Sequence, residues 1–271
     1  GARAGMVAHA VITVSKAAGK QVVGETVRMD KNKVDEAMKE HFRPAFEAVK
    51  AFTLQPVGEL SVDLHTRDAY KGMCDYAALI HMIQLEASGA QVSFMVPLTF
   101  DGTVSAGQVI FNDMFTIYPF ENQLYVLRMK GSEIRDYLEY SNDNWIQTPG
   151  EHVLRISDSP DPRTGAQHWS FVSRTYNFDS AAGLVYTVDL TKPFGKRVKI
   201  TSLADGTPFK QDEWYTVAMT SYRASGGGEI LQKGAGLSKE EVDERIQERL
   251  PEIREMVYQY FKKHAPVGTQ D

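Results

Sequence analysis

Strand-like and helix-like stretches follow one another along this chain without the strict strand–helix–strand alternation that winds a parallel sheet, and this limits the fold most. The reading is α+β, with mixed sheets and packed helices. Val7 to Val14 is β-prone and predicts a hairpin with Gln21 to Val23 across Ala17-Ala18-Gly19. Asp30 is placed to cap a helix over Lys31 to Phe52, in which Val34, Met38, Phe42, Phe46 and Val49 make one apolar stripe. Pro44 should kink or restart that helix. Pro56 to Leu64 alternates as a strand, and Met73 to Ala87 reads as a helix with Asp75 in its first turn. Gln91 to Val96, Gly107 to Ile110 and Leu124 to Met129 read as strands, Asn112 to Phe115 as a helical turn, and Gly131 opens a helix. Residues 141 to 183 are loop-like in composition. Three strands follow, over Val185 to Asp189, Arg197 to Ser202 and Glu213 to Met219, and then a Gly-rich irregular stretch. Lys239 to Lys263 reads as helix divided at Pro251.

Thirty Lys and Arg against 35 Asp and Glu leave a formal charge of -5. A nucleic acid polymer is therefore not an expected partner, because the broad positive field that draws a phosphate backbone is missing. A single nucleotide is not excluded by the same argument. Cys74 stands alone among 271 residues, so neither an internal disulfide nor a multi-Cys zinc site can form, and it reads as a buried inert thiol. No stretch approaches the ~18 apolar residues of a membrane span, and no signal peptide is visible.

Catalytic machinery is hard to find. Asp63-Leu64-His65 has the Asp-x-His spacing of a binuclear metallophosphatase, which also needs an Asn-His pair and His residues beside Gly. None of the seven histidines follows Asn or Gly, so the match reads as chance and no metal or cofactor is expected in this chain. Neither the nucleophile elbow nor the phosphate-binding loop motif occurs. Two aromatic segments remain, Tyr118-Pro119-Phe120-Glu121-Asn122 and Ser221-Tyr222-Arg223-Ala224-Ser225-Gly226-Gly227-Gly228-Glu229. An aromatic beside an amide and an aromatic beside a Gly loop can clamp a flat base, at about 1–3 kcal/mol per ring. The glycines would let backbone N–H groups approach an anion. Core aromatics beside a flexible turn account for the same residues, and the residues alone leave both readings open.

The order of segments narrows the choice. The run Gly107 to Ser141, with its Pro119-Phe120-x-Asn122 turn and a helix from Gly131 to Leu138-Glu139, resembles the C-terminal domain of 5'-nucleotidases. That family also includes 2',3'-cyclic nucleotide phosphodiesterases and UDP-sugar hydrolases. Tyr176-Asn177-Phe178-Asp179 with Gly183 to Asp189, and Tyr215 to Ala218 leading into Tyr222 and Gly226-Gly227-Gly228, extend the similarity over about Val57 to Gln232. The resemblance implies a substrate-binding domain for a nucleoside or nucleotide, with the base between Phe120 and Tyr222. Asn122 matches a polar contact, and the backbone of Gly226, Gly227 and Gly228 would touch sugar or phosphate. It also implies a metallophosphatase domain with two divalent metal ions, in cis or in trans, and a periplasmic or cell-surface location.

Departures from the family pattern matter as much. Where the family has Asn-x-Gly-Gly-x-Arg this chain has Val96-Pro97-Leu98-Thr99-Phe100-Asp101-Gly102, so two polar contacts are missing. The expected acidic residue falls at Gly228, with Glu229 one place late, and Arg67 lies near a family Arg position without matching it. Residues 1–52 resemble the closing strands of a metallophosphatase domain plus a connecting helix, with the substrate-binding domain over 53–271. Two functions follow: the binding half of a phosphoester hydrolase, inactive by itself, or a non-catalytic nucleotide-binding or phosphatase-docking module.

Overall fold

A computed structural model describes residues 5–17, 19–29, 33–145, 156–157, 160, 165, 170–264 and 266–268. The chain separates into two compact units, Gly1–Phe52 and Thr53–Asp271.

In the first unit, β1 (Met6–Ser15) and β2 (Gly19–Arg28) form the expected hairpin, antiparallel with Val11 opposite Val23 and Val14 opposite Lys20. Helix α1 (Glu36–Thr53) begins later than predicted. Asp30 lies outside the described residues, and the Asp35 carboxylate accepts the Met38 N–H at 3.0 Å, the bond a helix start needs. Of the two outcomes expected at Pro44, a restart does not occur, since the helix is continuous through it. No residue of α1 is buried.

The second unit is built on a five-stranded mixed sheet in the order β11 (Ser180–Ala182), β5 (Val92–Met95), β14 (Trp214–Thr220), β8 (Gln123–Lys130), β15 (Ile246–Glu252). In chain order its elements start with β3 (Pro56–Leu60), β4 (Leu64–His65), α2 (Asp75–Ser88) and β5 (Val92–Met95). They continue through β6 (Thr103–Val104), β7 (Gly107–Ile110), α3 (Asp113–Ile117), β8 (Gln123–Lys130) and α4 (Gly131–Asp143). The remainder comprises β9 (Ile156–Ser157), β10 (Ser170–Phe171), β11 (Ser180–Ala182), β12 (Leu184–Val188), β13 (Val198–Leu203) and β14 (Trp214–Thr220). Last come α5 (Ser221–Ala224), α6 (Lys239–Arg245), β15 (Ile246–Glu252) and α7 (Ile253–Lys263).

Two cores pack against this sheet, because successive residues of a strand face opposite sides. Leu124 and Ala218 enter the core shared with α2, α3, α7, β3 and β7. Val217, Met219, Leu127 and Met129 enter the second, shared with α4, β12, β13 and Val242 of α6. The α+β reading therefore holds. One element departs from it: residues 246–252, expected within a helix, form the edge strand β15 along β8, with two register shifts. Pairing with β8 overrides the helical preference of this charged segment, and an edge position tolerates Pro251.

Candidate functional site

The register of two strands assembles the site. β14 and β8 are antiparallel with Thr220 opposite Leu124. Whatever precedes Leu124 and whatever follows Thr220 must therefore lie side by side. This brings together Phe120 and Asn122 on one loop and Tyr222 on α5, although about 100 residues separate them in sequence. Two further bonds close the seam. Gln123 N–H donates to Ser221 Oγ at 3.1 Å, and Ile253 N–H donates to the Asn122 carbonyl at 2.9 Å. Short α5 forms directly at the strand end because Thr220 Oγ1 accepts the Arg223 N–H at 3.2 Å.

Phe120, Asn122 and Tyr222 line one cavity of about 240 Å3, together with Val96, Leu98, Tyr176 and Thr220. Phe120 is 50% and Tyr222 41% exposed, so neither ring is enclosed in the core. Asn122 Nδ2 donates to the Tyr118 hydroxyl at 3.4 Å, and Tyr118 is buried with its pKa raised chiefly by that burial. The Phe120 loop is held from behind. Arg254 of α7 donates to the Pro119 carbonyl at 3.2 Å and pairs with Glu121 at 3.2 Å.

On the Tyr222 side the anchor is Arg223, buried with Asp179 at 1% side-chain exposure each. Its guanidinium pairs with Asp179 at 2.6 Å and donates to the Gly227 carbonyl at 2.9 Å and to the Tyr176 carbonyl. Asp179 also accepts from the Tyr137 hydroxyl, whose pKa rises through burial and then through that carboxylate. For Arg223 burial works against the cation, yet Asp179 outweighs it and the net shift is upward.

The remaining expected residues sit differently. Gly226, Gly227 and Gly228 are not among the residues lining the cavity; Gly227 backs onto Tyr222, while Gly226 faces Gln232. A Cβ on Gly227 would overlap the Tyr222 ring, and Gly228, at φ 73°, would meet Asn177 and Arg223. Arg67 is brought to another place. It pairs with Asp101 at 2.8 Å and lies 5.0 Å from the Phe100 ring centroid, so its charge is already engaged away from the cavity. Asp63 and His65 also have structural partners: Asp63 accepts the Ala106 N–H at 2.7 Å, and His65 Nδ1 lies 3.2 Å from Thr103 Oγ1. Cys74 directly precedes α2, half-buried, and burial pushes its thiol pKa up. A larger cavity of about 580 Å3, beside Tyr70, Trp145, Phe178 and Tyr186, contains none of the residues expected from sequence.

Sequence reasoning missed Tyr176 as a site residue. It belongs to the Tyr176-Asn177-Phe178-Asp179 motif but sits on a single 3-10 turn, Thr175–Asn177, too short for any periodicity to assign a side chain a direction. Val96 and Leu98 stand where the family pattern carries its Asn and Arg region, and they turn that wall of the cavity apolar. Among the described residues no group of three or more His, Cys, Asp or Glu could hold a metal ion.

Residues 56–233 match the family model of the 5'-nucleotidase C-terminal domain. The chain belongs to this family. Its members are hydrolytic nucleotidases and phosphodiesterases. Among curated relatives, this 5'-nucleotidase C-terminal domain is 30% identical over 138 residues to a trifunctional nucleotide phosphoesterase of Bacillus subtilis, covering 46% of this chain and 9% of the relative. It is 28% identical over 136 residues to a 2',3'-cyclic-nucleotide 2'-phosphodiesterase/3'-nucleotidase of Salmonella typhimurium, covering 46% and 20%. The chain thus spans a fifth or less of the length of these two relatives. The 5'-nucleotidase precursor of Thermus thermophilus has the same fold, with a TM-score of 0.56 at 21% identity, covering 96% of this chain and 47% of that one. The NAD nucleotidase of Haemophilus influenzae does too, with a TM-score of 0.58 at 14% identity, covering 96% and 51%. No helix among the described residues is long and apolar enough to cross a membrane.

Proposed function

We propose that this chain is the substrate-binding part of a 5'-nucleotidase-like phosphoester hydrolase, gripping the base of a nucleoside or nucleotide between Phe120 and Tyr222. The observation that carries the reading is the meeting of Phe120, Asn122 and Tyr222 at one cavity. In this reading the rings stack on the base and Asn122 offers an amide at its edge. Sugar and phosphate extend past the cavity toward the Gly226 to Gly228 backbone, while Arg67 has no part. Residues 1–52 are proposed as the tail of a metallophosphatase domain with a connecting helix. The metal-bearing part would lie in the same polypeptide or a separate chain, in the periplasm or at the cell surface. The names of the curated relatives, all nucleotide phosphoesterases, support the substrate class.

Affinity sets the expected scale. Two stacking faces at about 1–3 kcal/mol each give roughly 2–6 kcal/mol before ordering costs. A dissociation constant of 1 mM corresponds to about 4 kcal/mol, so binding in the millimolar range is expected. The test is a nucleoside titration followed by NMR, with wild type and Phe120→Ala. Saturable shifts in the wild type and none in the variant support the clamp, and identical curves overturn it. In parallel, 2',3'-cyclic AMP is incubated with the chain and added Mn2+. No product is expected, and product formation that Phe120→Ala reduces would overturn the assignment of cleavage to another domain.

A second reading is favoured by one observation, the apolar wall of Val96 and Leu98. It makes the chain a non-catalytic module that docks on a separate phosphatase and keeps only the stacking rings. Nucleotide hydrolysis unchanged by removal of this chain from its natural assembly would support that alternative.

A further inference from the structure

We infer that Tyr176 is a third wall of the cavity and decides which base fits, an inference that rests on the nucleoside reading above. Tyr176 lines the same cavity as Phe120 and Tyr222. Its ring stands nearly at right angles to that of Tyr222, 6.3 Å between centroids and 82° between planes. A planar ligand that lies parallel to the Tyr222 ring and reaches Tyr176 would meet that ring at close to a right angle, the edge-to-face arrangement that aromatic quadrupoles favour. Faces of bases are alike, which makes stacking tolerant of sequence, whereas edges carry the differences in size and in hydrogen-bonding groups. A residue at the edge can discriminate where the two stacking rings cannot.

The wall is held in place. The Tyr176 carbonyl accepts from the Arg223 guanidinium, which also holds the Gly227 carbonyl at 2.9 Å and the Asn177 amide oxygen at 3.3 Å. Arg223 directly follows Tyr222 and its Cζ lies 5.3 Å from the Tyr222 ring centroid. One buried cation thus sets the spacing between the turn that carries Tyr176 and the helix that carries Tyr222. Such preorganisation lowers the ordering cost of binding. The Tyr176 hydroxyl, for its part, makes no hydrogen bond to another described residue, so it is free to donate to or accept from the edge of a base. The cavity, at about 240 Å3, lies just below the ~300 Å3 at which small-ligand sites begin. In so small a space a third ring limits how far a base can extend.

Adenosine, guanosine, cytidine and uridine are titrated separately into wild type, Tyr176→Ala, Tyr176→Phe and Phe120→Ala, with denaturation midpoints measured alongside. Opening that end should change the ratio of purine to pyrimidine nucleoside affinity by about fivefold or more in Tyr176→Ala. Tyr176→Phe should keep the size preference and lose affinity only for the nucleosides whose edge bonds the hydroxyl. An unchanged ratio in Tyr176→Ala, with binding abolished in Phe120→Ala, overturns this inference and leaves the nucleoside reading intact. A changed ratio with Phe120→Ala binding like wild type overturns the Phe120 clamp and leaves the Tyr176 wall. Wild type that binds none of the four overturns both. Should Tyr176→Ala fold poorly, Tyr176→Leu, which also removes the ring, reports the same change in ratio.

Discussion

Gly227 shows how a single hydrogen atom can matter to the cavity. The glycine backs directly onto Tyr222, and a methyl group there would occupy the ring's position. Because Tyr222 is partly exposed, its ring can swing outward, so the cost falls on the site rather than on the core. Gly227→Ala should weaken nucleoside binding about fivefold or more, the value of part of one stacking face, with little change in thermal midpoint. Equal affinity in calorimetric titration would show that Tyr222 does not stack. His81 gives a residue-scale prediction in pH. It is buried between Ser93 Oγ at 2.9 Å and Ser180 Oγ at 3.0 Å, and burial pushes its pKa down to about 3. An unfolded chain titrates this ring near ~6.5. Between these values the unfolded state binds more protons, so stability is complete above about pH 6.5 and falls as pH falls toward 3. The slope for one group is at most about 1.4 kcal/mol per pH unit, which integrates to roughly 2 kcal/mol between pH 7 and 5. Urea unfolding at pH 7 and pH 5 should show this loss in wild type and a smaller one in His81→Gln. The same loss in both proteins would assign it to other groups.

At the scale of elements, the pair Arg223–Asp179 joins α5, α4 and the turn before β11. Both side chains are 1% exposed, so removing one leaves the other charged and dry. Asp179→Ala should cost about 3–5 kcal/mol, whereas Asp179→Ala with Arg223→Leu should cost less than the single change. A double variant less stable than Asp179→Ala would refute the stranded-charge account. α4 begins with a comparable constraint: a Cβ on Gly131 would collide with the Lys210 carbonyl, which makes Gly131→Ala a backbone rather than a side-chain insult. These elements differ in how plainly the sequence announces them. α2, β8 and β14 are long and periodic enough to be read directly, with the observed ends within about two residues of those expected. β15 is not, because Ile246-Gln247-Glu248-Arg249-Leu250 carries helix-favouring residues and owes its strand to β8 beside it. The site shows the same division. Phe120, Asn122 and Tyr222 belong to ordered motifs, while Tyr176, Val96 and Leu98 reach the cavity through loops and a strand end whose directions only the tertiary structure sets.

For the whole molecule, both hydrophobic cores belong to the larger of the two units. Every residue of both cores lies at Val57 or beyond. In the first unit the stripe Val34, Met38, Phe42, Phe46 and Val49 is 57–66% exposed, and Val11, Ile12, Val22 and Val23 of the hairpin are more than half exposed as well. Burying such side chains is worth about 1.5–3 kcal/mol each, so an apolar stripe left open to water is a standing driving force for association. Residues 53–271, in contrast, contain the sheet, both cores and the cavity. A protein of residues 53–271 should therefore unfold in one cooperative thermal transition of its own. It should also bind nucleosides equally well. Sedimentation of the full chain should show association that grows with concentration, absent from residues 53–271 and reduced in Phe42→Glu/Phe46→Glu. A monomeric full chain at all concentrations would mean that the stripe is covered within the molecule itself. Residues 53–271 without a cooperative transition would show that the larger unit needs more than its own two cores to fold.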